Sequence, residues 1–185
     1  MRNLILAAVA FLMIAPAQAT TVSGVELEPQ IQVQQQDLVL NGAGVRSKFF
    51  IDLYVGSLYL PAKSQAVDAI LASEEVSAIR LNITSGMITS EKMTDAILEG
   101  FDNATNGNPG EMQQRIDDFI GVFNEEIVKG DQYTFNFIPG KGVVGFKNGE
   151  QKVIVDGDDF RVAMMKIWLG EKPAQKKLKQ QMLGN

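Results

Sequence analysis

The sequence predicts an α+β domain, an open-faced sandwich in which a large antiparallel sheet is covered by a layer of helices. Three observations point there. Apolar and polar residues alternate in pieces through VSGVELEPQIQVQQQDLVL (residues 22–40), as in a sheet with one solvated face. Helical spacing with capping residues takes over between Ser64 and Glu126. Alternation then returns in DQYTFNFIP before two closing helices. Strands, then helices, then strands and helices, with no internal repeat or low-complexity segment, make one α+β domain.

The elements follow in order. Arg2 is followed by LILAAVAFLMIA, an apolar run shorter than the about 20 residues of a membrane span, then by Pro16 and the small-residue pattern Ala17-Gln18-Ala19. Residues 1–19 therefore read as a cleaved secretory signal, with no stable membrane span after cleavage and a periplasmic or secreted domain over residues 20–185. Pro29 marks an edge or break within the first strands. FFIDLYVGSLYL, rich in aromatic and β-branched residues, reads as a long strand with a bulge at Gly56, and VSAIRLNI (76–83) as another. Ser64 is placed to cap a short helix through about Ala72. Thr89 and Ser90 open a helix with Met93, Ala96, Ile97, Gly100 and Phe101 on one stripe. A third helix is expected from Pro109 to Glu126. GKGVVGFKNGEQKVIVDG reads as two strands joined through Asn148-Gly149, a pair suited to a tight hairpin turn. Asp158 then caps DDFRVAMMKIWLG, and a basic tail helix opens after Pro173. As a solvated terminal helix that tail needs no partner, anionic lipid being the conceivable one.

Composition removes whole classes of chemistry. The 185 residues contain no histidine and no cysteine. Ser-His and Cys-His nucleophile systems, His-ligated zinc and haem, and disulfide stapling are excluded together. A formal charge of −5 offers no basic field for nucleic acid. The carboxylate clusters Asp117-Asp118 and Glu125-Glu126 fall on a helix face that must be solvated anyway. DGDD, residues 156–159, lacks the spacing and terminal glutamate of a calcium loop, and Gly140-Lys141-Gly142 lacks a phosphate-loop pattern. No metal and no cofactor is expected. What stands out is Arg46, set after Gly42-Ala43-Gly44-Val45 among apolar residues. A guanidinium stays charged, so on an apolar strand it needs an anion, a hydrogen-bonding network or water.

LNGAGVRSKFFIDLYVGSLYL (40–60) resembles the GAGVR segment and following strand of the chalcone isomerase superfamily. TSEKMTDA (89–96) is similar to the block opening that family's active-site helix, and WLGEKPAQKKLK to its C-terminal block. The superfamily includes plant chalcone isomerases, plant fatty-acid-binding proteins of the same fold and bacterial chalcone isomerase-like proteins. The resemblance implies the open-faced sandwich already read from patterning. In the isomerases an arginine falls on Arg46 and is kept. Their strand threonine falls on Tyr54, a helix-opening tyrosine on Thr89, an asparagine on Ala96 and a specificity threonine on Ile167. Most of the polar isomerase site is thus replaced.

The same substitutions suit the fatty-acid-binding branch, where an arginine and a strand tyrosine grip a carboxylate. Arg46 and Tyr54 resemble that pair, and Met93, Ile97, Phe101, Met164, Ile167 and Trp168 are available as apolar walls. The reading is a non-catalytic, exported binder of a small apolar anion such as a fatty acid. The alternative is an isomerase or lyase acting on a chalcone-like or other enone, with Arg46 stabilising the developing negative charge. One geometric condition applies. Residues eight apart on a straight strand are separated by about 27 Å, so Arg46 and Tyr54 can share a ligand only if the chain turns between them, and SKFF is not a strong turn sequence. A purely structural arginine would pair instead with a carboxylate such as Asp52, or face water.

Overall fold

The computed structural model describes residues 20–185, and the expected signal segment lies outside them. A short hairpin, β1 (Thr20–Val22) and β2 (Val25–Leu27), precedes the main sheet. That sheet has seven antiparallel strands in sequence order: β3 (Gln30–Val33), β4 (Gln36–Lys48), β5 (Ile51–Leu60), β6 (Ser77–Ile83), β7 (Gln132–Ile138), β8 (Gly142–Lys147) and β9 (Glu150–Asp156). Pro29, which has no N–H for a ladder, falls between β2 and the edge strand β3. The helices are α1 (Val67–Leu71), α2 (Ser90–Thr105), α3 (Gln113–Ile120), α4 (Asp158–Leu169) and α5 (Lys176–Met182). Their apolar residues join Leu58, Leu81 and Phe135 of the sheet in one core that includes Met93, Phe101, Phe119, Trp168 and Leu178. Gly100 lets α2 and α4 touch, since a Cβ there would lie 2.6 Å from Ile167 Cγ2. Among the described residues no helix is long and apolar enough to cross a membrane.

Several local expectations are corrected. Ser64 does not cap α1. Its hydroxyl accepts from the Ala66 N–H in a turn, and the helix begins at Val67. The third helix is shorter than Pro109–Glu126, with single 3-10 turns at Gly110–Met112 and Gly121–Phe123 flanking α3. Gly157 is the N-cap of α4, and Asp158 lies in its first turn, accepting from the Gly140 N–H and from Arg161. The basic tail is not a free solvated helix: Leu178, Met182 and Leu183 are buried against the sheet.

The ladder irregularities also differ from expectation. Gly56 stays in register, facing Gly44 and Leu81, and lies against Leu178 of α5. The ladder slips instead at Asn41, unpaired between Leu40↔Tyr59 and Gly42↔Leu58, and again at Leu53, unpaired between Arg46↔Tyr54 and Ser47↔Asp52. A bulge residue inverts the in-out alternation of everything after it. Before it, Leu38 belongs to a smaller cluster with Ile31, Val33, Tyr59 and Ala78, on the side of the sheet opposite Leu58. After it, Gly42, Gly44 and Arg46 face the helices. Asn41 is itself buried and locked by three hydrogen bonds. Its Nδ2 donates to the carbonyls of Ser64 (3.0 Å) and Met182 (2.9 Å), and its Oδ1 accepts from the Ser64 N–H (2.7 Å).

The strand expected to begin at Phe49 begins at Ile51, because Phe49 and Phe50 form the hairpin turn between β4 and β5. Lys48 pairs with Ile51 around a two-residue turn in which Phe49 and Phe50 have φ of +49° and +65°. Both centres of such a turn need positive φ, which Asn-Gly adopts freely and a bulky residue adopts at a cost of roughly 1–2 kcal/mol. The double substitution Phe49→Asn, Phe50→Gly is therefore expected to raise unfolding stability by about 1–2 kcal/mol in denaturant titrations. An unchanged or lower midpoint would contradict this account of the turn.

Candidate functional site

The hairpin brings Arg46 directly opposite Tyr54 in the β4–β5 ladder. Directly opposed residues share a face with Cβ atoms about 5 Å apart, so the eight-residue separation that a straight strand would impose vanishes. Tyr54 is buried and receives a hydrogen bond of 3.1 Å from the indole N–H of Trp168 on α4. Arg46 is half-buried. Its Nη1 donates to two neutral oxygens, the Ser47 carbonyl at 3.2 Å and Gln175 Oε1 at 3.4 Å. Gln175 Oε1 also accepts from the Ser47 N–H at 3.0 Å. The Gln175 position is set by the α4–α5 link, where the Ala174 N–H bonds the Ile167 carbonyl.

No carboxylate pairs with Arg46 among the described residues. Arg80, Arg115 and Arg161 each have one, namely Glu28, Asp159 and Asp158. Asp52, the acid that a structural reading would assign to Arg46, accepts instead from the hydroxyls of Ser23 and Ser47.

The other expected site residues divide. Met93 and Ile97 on the inner stripe of α2, and Ile167 and Trp168 on α4, are all buried in the core that contains Tyr54. Thr89 and Ala96 are exposed and are corrected as lining residues. Thr89 is consumed as the N-cap of α2, accepting from the Lys92 N–H, and Ala96 lies on the solvent side of that helix. Nothing in the sequence marks Gln175, and Trp168 reads there as core packing or an apolar wall rather than as a hydrogen-bond donor to Tyr54. A lone glutamine just before a tail helix carries no sequence signal of its own.

These features can be set beside known proteins. A family model described as chalcone isomerase-like matches residues 19–184. The chain belongs to that family. A crystal structure of a fatty-acid-binding protein from Arabidopsis thaliana is similar to it, with a TM-score of 0.73 over 90% of this chain and 96% of that one at 16% sequence identity. At that identity the likeness establishes the chalcone isomerase-like fold. No curated protein sequence matches.

Within this chalcone isomerase-like fold the chemistry of the Arg46–Tyr54 pair is definite. Burial pushes the Tyr54 phenol above its ordinary pKa of 10.0, with the Trp168 N–H and the Arg46 charge only partly opposing it. The phenol is thus protonated at neutral pH. Because its oxygen accepts from Trp168, its own proton is left to donate. A permanent cation whose acceptors are neutral and a protonated phenol thus lie across the ladder from each other, two donors from which one anionic oxygen can accept.

Two cavities of about 550 Å³ lie elsewhere. One is bounded by Asn41, Ser64 and Leu183, the other by Met112, Asp159 and Lys166 between α2, α4 and the turn before α3. Among the described residues no group of three or more metal-ligating side chains is placed to hold an ion.

Proposed function

We propose that this protein is a non-catalytic binder of an apolar carboxylate, a fatty acid being the simplest example, with the carboxylate held by Arg46 and Tyr54 and the chain directed between sheet and helices. The observation that carries this reading is Arg46, alone among the described arginines in lacking a carboxylate and placed across the ladder from a protonated phenol. A guanidinium fork accepts a carboxylate bidentately, and a tyrosine hydroxyl adds a third donor. Met93, Ile97, Ile167 and Trp168 belong to the same buried apolar core as Tyr54, and methionine adapts readily to a flexible occupant. The fatty-acid-binding activity named for the Arabidopsis structure agrees with this reading.

Lipid extraction and native mass spectrometry of purified protein should recover a stoichiometric amphiphile. Arg46→Ala is expected to weaken binding of a long-chain carboxylate about 30-fold or more, the usual result of removing one partner of a close charge pair. Binding of the alcohol of equal chain length should barely change. Equal losses for acid and alcohol, or stereoselective Arg46-dependent turnover of an enone, would overturn the assignment.

We also infer export, supported by the leader pattern of residues 1–19. The mature protein recovered from the cell envelope or medium should begin at Thr20. An intact Met1 start in that material would refute it.

A further inference from the structure

Five large apolar side chains are exposed among the described residues: Phe49, Phe50, Met87, Val128 and Ile154. Four of them gather at one end of the main sheet. Phe49 and Phe50 form the β4–β5 turn there. The Thr84 N–H bonds the Leu53 carbonyl, which sets the loop carrying Met87 beside the base of that hairpin. The N–H of Gly130 bonds the Ile83 carbonyl, which brings the Val128 loop to the same end of the sheet.

Phe49 is 82% exposed and Phe50 fully so. Left-handed backbone at both positions fixes the pair as the outermost point of the hairpin. Lys48 lies over the Phe49 ring, 5.8 Å from its centre, and Lys92 is tied by its ammonium group to the Met87 carbonyl. The site is convex, a two-residue tip carrying two rings, whereas a stable protein interface takes about 800 Å² per partner with shape complementarity. A fluid interface needs no matching surface. It receives apolar rings among the acyl chains while neighbouring lysines stay at the headgroups.

We propose that this end of the sheet docks on a lipid bilayer, with Phe49 and Phe50 inserted into the interface and Lys48 at headgroup level. Nothing in the docking depends on the acyl-anion reading. It does set Arg46, three residues from Phe49, next to the membrane surface where an amphiphilic acid resides. The strained Phe-Phe turn then has a purpose that the fold alone lacks.

The test uses vesicles of phosphatidylethanolamine and phosphatidylglycerol without free fatty acid, so that docking is read separately from acyl-anion binding, which is measured without vesicles. Wild-type protein is expected to float with the vesicles, and the Phe49→Asn, Phe50→Gly double variant to lose about tenfold or more in partitioning. That variant keeps the turn geometry, so its thermal unfolding should remain cooperative. In a separate Phe50→Trp protein, fluorescence emission should move to shorter wavelength on vesicle addition. Equal flotation of wild type and double variant, or no flotation of wild type, would overturn the proposal. So would a concentration-dependent dimer that the double variant abolishes, since the tip would then be a contact between two copies of this chain.

Discussion

Gly42→Ala is expected to displace α5 and to cost about 2–3 kcal/mol of stability, near the upper end for overpacking a tight contact. A Cβ at Gly42 would lie 2.2 Å from the Gln181 carbonyl oxygen and 2.8 Å from both the Gly184 nitrogen and the Met182 carbonyl oxygen. These are backbone atoms, so no side-chain rotation relieves the clash. With α5 lifted, Leu178, Met182 and Leu183 lose their buried contacts, and Gln175 loses its hold on Arg46 and on the Ser47 N–H. Denaturant titration should show the loss, and hydrogen exchange should show it concentrated over residues 176–185. Gly56→Ala is the control: its added methyl would sit at ordinary contact distance, 3.4 Å from Leu178 Cδ1. Equal stability of Gly42→Ala and wild type would mean that α5 is not held against β4 as described.

Asn41→Ala is expected to destabilise the chain by about 2–4 kcal/mol and to loosen Arg46. The substitution removes three hydrogen bonds, leaving the buried Met182 carbonyl and the half-buried amide and carbonyl of Ser64 to find other partners. The second consequence is specific to this sheet. Asn41 is the extra residue that turns Gly42, Gly44 and Arg46 toward the helices, and its side chain is what anchors that extra residue to the chain before α1 and to the end of α5. A mixed register, with Arg46 sometimes facing outward, should appear as exchange broadening of β4 amide signals in NMR spectra. A sharp, native-like β4 with unchanged stability would count against the locking role of Asn41.

Both substitutions fall in the segment whose sequence resembles the family most clearly, and they divide what could be read there from what could not. The two glycines were visible, as was the arginine. Their reason was not. Gly42 and Gly44 are small because α5, more than 130 residues later, lies across them, and Arg46 is held by Gln175 from the same distant segment. Local patterning carries information over a few residues, enough for the Asn148-Gly149 turn, the Thr89 cap and the buried stripe of α2. It carries less where a local preference is overruled. Phe-Phe is a poor turn pair, so SKFF does not announce the hairpin at 49–50 and the two phenylalanines read as the start of the strand that follows.

By itself the amino-acid sequence determined the α+β class, the antiparallel sheet with its helical cover, the exclusion of histidine and cysteine chemistry, and Arg46 as the residue needing an explanation. These follow from side-chain periodicity and from which ionisable groups exist at all. Only the tertiary structure decided which way Arg46 points, that it faces Tyr54, and that Thr89 and Ala96 stand outside the core. A single unpaired residue in a ladder reverses the facing of everything beyond it, and only the hydrogen bonds of the partner strand and of α5 determine where that residue falls.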